Sequence, residues 1–240
     1  SIISYQCAWL CNYYATEWTA AFLDKEPESR KEKAINLAKQ HGYNIKPLNI
    51  NYSEMTWKIL DDETLVAPLT TIKGLGEKAI EQILAHRPFN NIEDLLFNDN
   101  VVYSKLNKKA LDVLCRAGAI DDLIDDRFTG SKHFWYATCV DRPRTAKKLA
   151  EHIVTYHSEG SFSEEEKIEF LADLTGIFPM SMVITDEVQR RLDELFVPAI
   201  SDYDRDLMVC WCVPRKITVK RSKNNSCLLY TSPSPRDDPL

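Results

Sequence analysis

The chain has 240 residues, of which 44% are hydrophobic and 28% charged, as in an ordinary globular protein. Its formal net charge of -6 excludes a uniformly basic nucleic-acid-binding chain, so contact with nucleic acid would need a local basic patch. No apolar run approaches the length of a membrane span. The first residues lack the basic region that begins a secretory signal. The length would fit one large domain or two to three small ones. Because an initiator Met is lacking and the chain begins inside a predicted helix, we expect a fragment of a longer protein. The expected localisation is cytoplasmic.

The first segment, residues 2–23, carries aromatic side chains four residues apart, which predicts helices with a buried aromatic face. The rings concerned are Tyr5, Trp9, Tyr13, Tyr14, Trp18 and Phe22. Cys7 and Cys11 lie on the same helix. None of the seven cysteines forms a C-x-x-C pair, so we expect buried free thiols in a reducing compartment and no metal site.

A charged amphipathic helix follows over residues 28–41, and Gly42 stands where a helix C-cap belongs. We expect its inward side chains to be Ala34, Leu37 and Ala38. Pro47 excludes helix from residues 45–53, which are predicted to be extended. The pattern of residues 57–66 predicts a small β-hairpin.

The next stretch has the frame of two helices joined by a glycine turn. Leu69 and Ile72 close a short helical turn, and Gly74-Leu75-Gly76 follows. A second helix would then bury one apolar face, formed by Ala79, Ile80, Ile83 and Leu84. This stretch resembles a helix-hairpin-helix motif, whose Gly-hydrophobic-Gly turn holds a DNA backbone without reading bases.

Two features of this turn predict an anion-binding site. Glycines allow close backbone approach, and the first amides of a helix have no acceptor within it. Lys73 and Lys78 flank the turn, so the expected anion is a nucleic-acid phosphate. The alternative is a helical hairpin whose glycines serve packing alone.

Residues 105–123 are predicted to form a second hairpin unit, which would pack with the first as a pseudo-symmetric four-helix domain. Its apolar face would consist of Ala110, Leu111, Leu114 and Cys115, and Gly118 would close the helix. Cations at a helix N-terminus oppose the helix dipole, so the three lysines there favour an external anion over a merely solvated helix start. The predicted DNA-binding residues of both units are Lys73, Gly74, Leu75, Gly76, Lys78, Lys105, Asn107, Lys108 and Lys109.

Four segments in sequence resemble bacterial replicative DNA polymerase III alpha subunits, the C-family polymerases, over about residues 1–127. They are Ser4-Tyr5-Gln6-Cys7-Ala8-Trp9-Leu10 with Tyr14-Ala15-Thr16-Glu17-Trp18, His41-Gly42-Tyr43-Asn44-Ile45-Lys46-Pro47-Leu48-Asn49-Ile50-Asn51, Ile72-Lys73-Gly74-Leu75-Gly76-Glu77-Lys78-Ala79, and Leu106-Asn107-Lys108-Lys109-Ala110-Leu111 with Ala117-Gly118-Ala119-Ile120-Asp121. Their order and spacing are about those of the family, which makes the set more specific than any one segment.

The resemblance implies a mainly α fold: a tandem helix-hairpin-helix domain flanked by fingers helices, with a truncated OB-like β start at the C-terminal end. The expected domains are the end of the fingers (1–60), the tandem helix-hairpin-helix domain (61–127), a helical connector (128–200) and the first strands of an OB-fold (201–226). Residues 227–240 resemble a translated sequencing adapter and are predicted to be disordered.

In the connector we predict a basic helix over 142–157 and an acidic helix over 163–174, the latter opened by a capping box at Ser163. Residues 189–196 have the ingredients of a clamp-binding motif at the wrong spacing. They are predicted instead to form an amphipathic helix whose inward side chains are Leu192, Leu195 and Phe196. Residues 206–220 alternate as a strand, with Trp211 expected in the core.

By resemblance, the longer protein is a DNA-directed DNA polymerase, a nucleotidyltransferase that uses Mg²⁺ at palm carboxylates. No palm motif is present, so we expect no catalytic residue, metal ligand or cofactor in this fragment, and no activity from it alone. The acidic residues at 61–63 and 121–126 are interpreted as solvated surface. Expected partners are duplex primer-template DNA, single-stranded template through the OB-fold, and a sliding clamp and replisome subunits, with no membrane.

Two alternatives remain open at this point. One is a non-catalytic helix-hairpin-helix DNA-binding module of the type found in repair nucleases or ligases, or of an accessory scaffold protein. Such modules would lack the Tyr5-Gln6-Cys7-Ala8-Trp9-Leu10 helix. The other is a structural helical fragment that does not contact DNA.

Overall fold

The computed structural model describes residues 2–176, 183–200, 209–213, 217–221 and 227–231. The chain divides into two compact units, residues 1–182 and 183–240. The described part is mainly helical, as predicted. In it, no helix combines the length and apolar character needed to cross a bilayer.

The first unit begins with helices α1 (Ile2–Tyr13), α2 (Ala15–Lys25) and α3 (Glu28–Gln40). A three-stranded sheet follows, built from β1 (Asn44–Lys46), β2 (Lys58–Asp61) and β3 (Thr64–Val66). The predicted hairpin is confirmed as the antiparallel pair β2–β3, while β1 adds a parallel partner on the other edge of β3. The central strand β3 is buried along its whole length, which explains why Thr-Leu-Val occupies it.

The helix-hairpin-helix region consists of a 3₁₀ turn, Leu69–Thr71, and helices α4 (Glu77–His86), α5 (Ile92–Leu96) and α6 (Lys108–Arg116). Beyond it lie a 3₁₀ turn at Asp121–Leu123, α7 (Ser131–Trp135), a π-helical turn (Tyr136–Val140), α8 (Ala146–Thr155) and α9 (Glu164–Thr175). The predicted capping box at Ser163 opens α9. The basic helix starts later than predicted, because Thr145 rather than a residue near 142 caps α8.

One hydrophobic core runs from α2 to α9, so residues 128–176 do not form a separate connector. Phe134 and Ala137 are fully buried in the same cluster as Leu111 and Leu114 of α6. A polar contact joins the same elements, since the indole of Trp135 donates to Asp112 of α6 at 2.8 Å. The segment after residue 127 therefore packs against α6 of the hairpin region.

The aromatic face of α1 is not buried as predicted. Tyr5, Trp9 and Tyr13 are exposed, at 71%, 44% and 66%, and α1 has no buried residue. Helix α2, in contrast, buries Ala20 and Leu23. A spacing of four identifies a common face but not what covers it, and no described element lies over this one.

The prediction of buried cysteines is also wrong on α1, because this helix has no buried residue. Cys7 and Cys11 are exposed free thiols, whereas Cys115 and Cys139 are buried. On α3, Ile35 is buried together with Ala34 and Ala38, while Leu37, predicted inward, is 45% exposed.

The second unit contains α10 (Asp186–Glu194), β4 (Ile217–Arg221) and β5 (Cys227–Thr231). Helix α10 has no buried residue. Leu195 and Phe196 are exposed rather than packed inward, and Leu192 is half-buried. The expected inward face is therefore wrong within the described residues.

The predicted strand over 206–220 is only partly covered by the structure, since residues 201–208 and 214–216 lie outside the described residues. Trp211 is half-buried and forms an isolated bridge with Ala199. Strand β4 pairs antiparallel with β5, so residues 227–231 form a strand inside the segment 227–240, for which disorder was predicted. Residues 232–240 lie outside the described part.

The acidic residues near 121–126 are not simply solvated surface. Arg127 donates to both carboxylate oxygens of Glu93 on α5, at 2.6 and 3.0 Å, and to Asp125 at 2.6 Å. These hydrogen bonds hold the pKa of Glu93 and the pKa of Asp125 below their ordinary values of 4.5 and 3.8. Asp122 accepts from Asn49 at 2.5 Å. The cluster ties α5 to the end of the hairpin region.

We expect Phe134→Ala to lower the free energy of unfolding by about 3–5 kcal/mol, because a buried phenyl ring leaves a cavity. Val154→Ala on α8, where Val154 is 77% exposed, is the control and should change it by less than about 0.5 kcal/mol. Urea unfolding followed by circular dichroism measures both. A separate transition that alone responds to Phe134→Ala would contradict the shared core.

We expect the contribution of Arg127 to stability to depend on pH. Because the pKa values of Glu93 and Asp125 are depressed in the fold, the contribution is complete above 4.5 and is lost as the pH falls through the folded values. Arg127→Met should cost about 1 kcal/mol at neutral pH, since the groups are partly exposed, and clearly less at an acidic pH below the folded pKa values of both carboxylates. Lys148→Met, which breaks an exposed pair with Glu151, is the control for urea unfolding at both pH values. An equal cost of Arg127→Met at both would refute the assignment.

Candidate nucleic-acid interface

The first hairpin turn places its two glycines outward and the residue between them inward. Leu75 is 8% exposed and belongs to the core, while Gly74 and Gly76 are exposed. Gly74 has a φ of +87°, the left-handed region that favours glycine. The short turn before it and α4 after it bury Leu69, Ile72, Ala79, Ile80 and Ile83 as predicted. Leu84, also predicted inward, is only half-buried.

In the described part of the chain, this turn leaves several main-chain amides without an acceptor, although that of Leu75 donates to the carbonyl of Ile72. Among the described residues, no acceptor meets the amides of Gly74, Gly76, Glu77 or Lys78, and no side chain caps α4. The amide of Lys73, in contrast, donates to the carbonyl of Leu174 at the end of α9, at 2.7 Å. The free amides lie at the positive end of the α4 dipole, which is the chemistry of an anion site.

The second hairpin unit differs from the first hairpin unit in its turn. Residues 102–106 form a hydrogen-bonded turn instead of a helix, with the amides of Lys105 and Leu106 both donating to the carbonyl of Val102. Asn107 caps α6 by accepting from the amide of Ala110 at 3.0 Å. The predicted pseudo-symmetric pair of complete hairpins is therefore only approximate. The side-chain oxygen of Asn107, predicted to contact DNA, is occupied in capping.

The two hairpin units are joined by contacts that run from the turn of one unit to a helix of the other. The side-chain oxygen of Gln82 on α4 accepts from the amide of Val102 at 3.0 Å. A Cβ placed on Gly74 would lie 3.5 Å from Cε of Lys109. Between the turns lies an open cleft of about 480 Å³. Its lining residues are Gly74, Gly76, Lys78, Ala79, Ser104, Lys105, Asn107, Lys109 and Ala110.

Six of the nine predicted site residues line the cleft, and three do not. Lys78, Lys105 and Lys109 line it together with both glycines. Lys73 and Lys108 are exposed but are not among its lining residues. Leu75 supports the turn from inside and is too buried to contact a ligand.

The lysines of this cleft carry uncompensated charge. Within the part of the chain that the structure describes, no carboxylate oxygen lies within 4.0 Å of the ammonium groups of Lys78, Lys105 or Lys109. A chain of net charge -6 thus concentrates positive charge and free amides at one place. The described residues include no group of three or more His, Cys, Asp or Glu placed to hold a metal ion.

Sequence reasoning missed the residues that position the cleft. Gln82 fixes the second turn to α4, and Leu174 removes the Lys73 amide from the free set. Arg142 donates to the carbonyl of Leu106, and its guanidinium lies 4.1 Å from the ring centroid of Tyr103. Burial lowers the pKa of Arg142. Their partners are 20 to 101 residues away in sequence, and no local pattern signals such contacts.

The fold and this cleft define a helix-hairpin-helix segment. A family model described as a helix-hairpin-helix motif matches residues 42–129, which include both turns.

The chain is moreover similar to DNA polymerase III subunit alpha from several bacteria. The identity is 32% over 133 residues for the Xylella fastidiosa protein, 34% over 129 for that of Pseudomonas aeruginosa, and 33% over 127 for that of Thermus aquaticus. These matches cover 53%, 51% and 50% of this chain and 11%, 11% and 10% of the relatives. They confirm the resemblance read from the motifs and support a segment of a DNA polymerase III alpha subunit. The chain matches about a tenth of the length of these relatives.

The two glycines of the turn should respond oppositely to substitution. Gly74→Ala forces a side chain into the left-handed region and should cost about 1 kcal/mol of unfolding free energy. Gly76 has an ordinary φ of -75° and nothing within 4 Å of an added Cβ. Gly76→Ser, which supplies a preferred N-cap, should therefore leave stability unchanged or raise it. Urea unfolding measures both, and a loss for Gly76→Ser equal to that for Gly74→Ala would show that position 76 needs glycine for folding.

Proposed function

We propose that this segment holds the sugar-phosphate backbone of duplex DNA, without reading base sequence, as part of a replicative DNA polymerase of the DNA polymerase III alpha type. The observation that carries the proposal is the cleft that brings Gly74 and Gly76 of the first turn together with Lys78, Lys105 and Lys109. Among the described residues, the amides of both glycines have no acceptor and the three lysines have no carboxylate partner. Amides and ammonium groups recognise phosphate oxygens, which are the same in every sequence.

The geometry favours backbone contact over base reading. The amides of Gly76, Glu77 and Lys78 are fixed to α4 and reach only a ligand that approaches the main chain closely. Among the described residues, no atom lies within 4 Å of a Cβ placed on Gly76, so this approach is open. A phosphate diester is small and anionic enough to enter, and the lysines at the rim add charge without directional selectivity.

The activity of the longer protein is proposed from the relatives alone. DNA-directed DNA synthesis, with Mg²⁺ at the polymerase centre, would be the reaction of the whole chain, and no catalytic group is assigned among the described residues. Contact with single-stranded template through OB-like strands, and with a sliding clamp and replisome subunits, belongs to the same proposal. The exposed free thiols Cys7 and Cys11 fit action in the reducing cytoplasm.

We expect Lys105→Ala and Lys109→Ala each to weaken duplex binding about equally for every DNA sequence. Each lost phosphate contact should reduce the slope of log K against log salt by about 0.9, which corresponds to about an eightfold loss at 0.1 M relative to 1 M salt. Fluorescence anisotropy with two duplexes of unrelated sequence, titrated at several salt concentrations, measures the slope.

The matched control is Lys39→Ala, an exposed lysine on α3 away from the cleft. It should leave the salt slope unchanged. Gly76→Ser should weaken binding without loss of stability, because its hydroxyl would compete for the amides offered to phosphate. Unchanged slopes for both cleft variants, or a loss confined to one duplex sequence, would overturn the proposal.

A further inference from the structure

The turn at residues 102–106 faces two clefts. Ser104 and Lys105 line the cleft of about 480 Å³ described above. Tyr103, their neighbour in the same turn, lines a second cleft of about 340 Å³ together with Leu96, Pro143 and Arg144. A ligand that follows the first cleft therefore meets the second within one or two residues of protein backbone.

The second cleft combines an aromatic ring, a guanidinium group and an apolar floor. The ring of Tyr103 is 49% exposed although it lies next to the buried Pro143. The guanidinium of Arg142, at 4.1 Å from the ring centroid, holds the ring in place, and that of Arg144 lies at 5.9 Å. This set is suited to a planar, polarisable, anionic ligand, because rings and guanidinium planes both stack on nucleobases.

The two arginines have different tasks. Arg142 is half-buried and structural, since it donates to the carbonyl of Leu106 and so fixes the turn. Arg144 is exposed and, among the described residues, makes no hydrogen bond or ion pair; its recorded contact is the one with Tyr103. Its guanidinium can move aside from the ring at the cost of that long contact alone, without breaking a hydrogen bond or an ion pair among the described residues.

We propose that the Tyr103–Arg144 cleft binds an unpaired nucleotide, which stacks on Tyr103 and pairs its phosphate with Arg144, where a single strand leaves the duplex held in the first cleft. The inference rests on the proposed function, because the first cleft must hold the duplex. It adds a place where duplex and single strand meet, in the first unit of the chain and independent of the OB-like strands.

The test compares a blunt duplex with the same duplex carrying a short thymidine tail, at either its 3′ or its 5′ end. The wild-type chain should bind one tailed form at least about fivefold more tightly than the blunt form, the low end for one base–aromatic stack. Tyr103→Ala and Arg144→Gln should each remove most of this gain and leave affinity for the blunt duplex unchanged. Tyr103→Phe should retain it, since the ring remains.

Tyr13→Ala, at an exposed tyrosine of α1 outside both clefts, is the matched control and should change neither affinity. Equal wild-type affinity for tailed and blunt duplexes would overturn this inference while leaving the proposed function intact. Equal losses on both probes for Tyr103→Ala and Arg144→Gln would also overturn it, because both residues would then act through Lys105. Absence of binding to any duplex would refute the proposed function itself.

Discussion

The structure of the hairpin region depends on the burial of Leu75 between two exposed glycines. Turning this side chain inward anchors the loop in the core, and the left-handed conformation of Gly74 lets the chain reverse directly before it. The following amides must then point outward, since α4 begins at once and offers them no acceptor. A hydrophobic contact therefore determines where hydrogen-bonding capacity is left over.

The amides without an acceptor can form part of the proposed anion site only because the second hairpin unit is held beside them. The bond from the Val102 amide to Gln82, and the contact of Arg142 with the Leu106 carbonyl, fix the turn that carries Lys105. Behind it, Trp135 and Arg116 both donate to Asp112 on α6, at 2.8 and 2.6 Å. The lysines thus start from a rigid base, and the entropy lost on binding a phosphate is confined mainly to their side chains.

How far the sequence predicts this arrangement depends on whether the signal is local. The glycine turn, the capping box at Ser163 and the β2–β3 hairpin were predictable, because each depends on residues within a few positions of one another. The exposure of Trp9 and Phe196 was not, since helical periodicity defines a face without its cover. The same limit applies to the candidate site. Lys78, Lys105 and Lys109, singled out from the sequence, line one cleft, but Gln82, Arg142 and Leu174 act over distances in sequence that carry no pattern.

The hydrogen bond from the Lys73 amide to Leu174 shows why the segment after residue 127 contributes to the candidate site. This bond places the C-terminal end of α9 against the turn, so that a carbonyl occupies the one amide that precedes Gly74. Under the proposed function, an anion at the turn would meet Gly74, Gly76 and the start of α4, on the side where Lys109 lies closest. Since Leu174 and Phe134 belong to the same core as Leu75, the position of the anion site is set by packing over more than a hundred residues. The glycine motif defines the chemistry of the site, and the helices behind it define its direction.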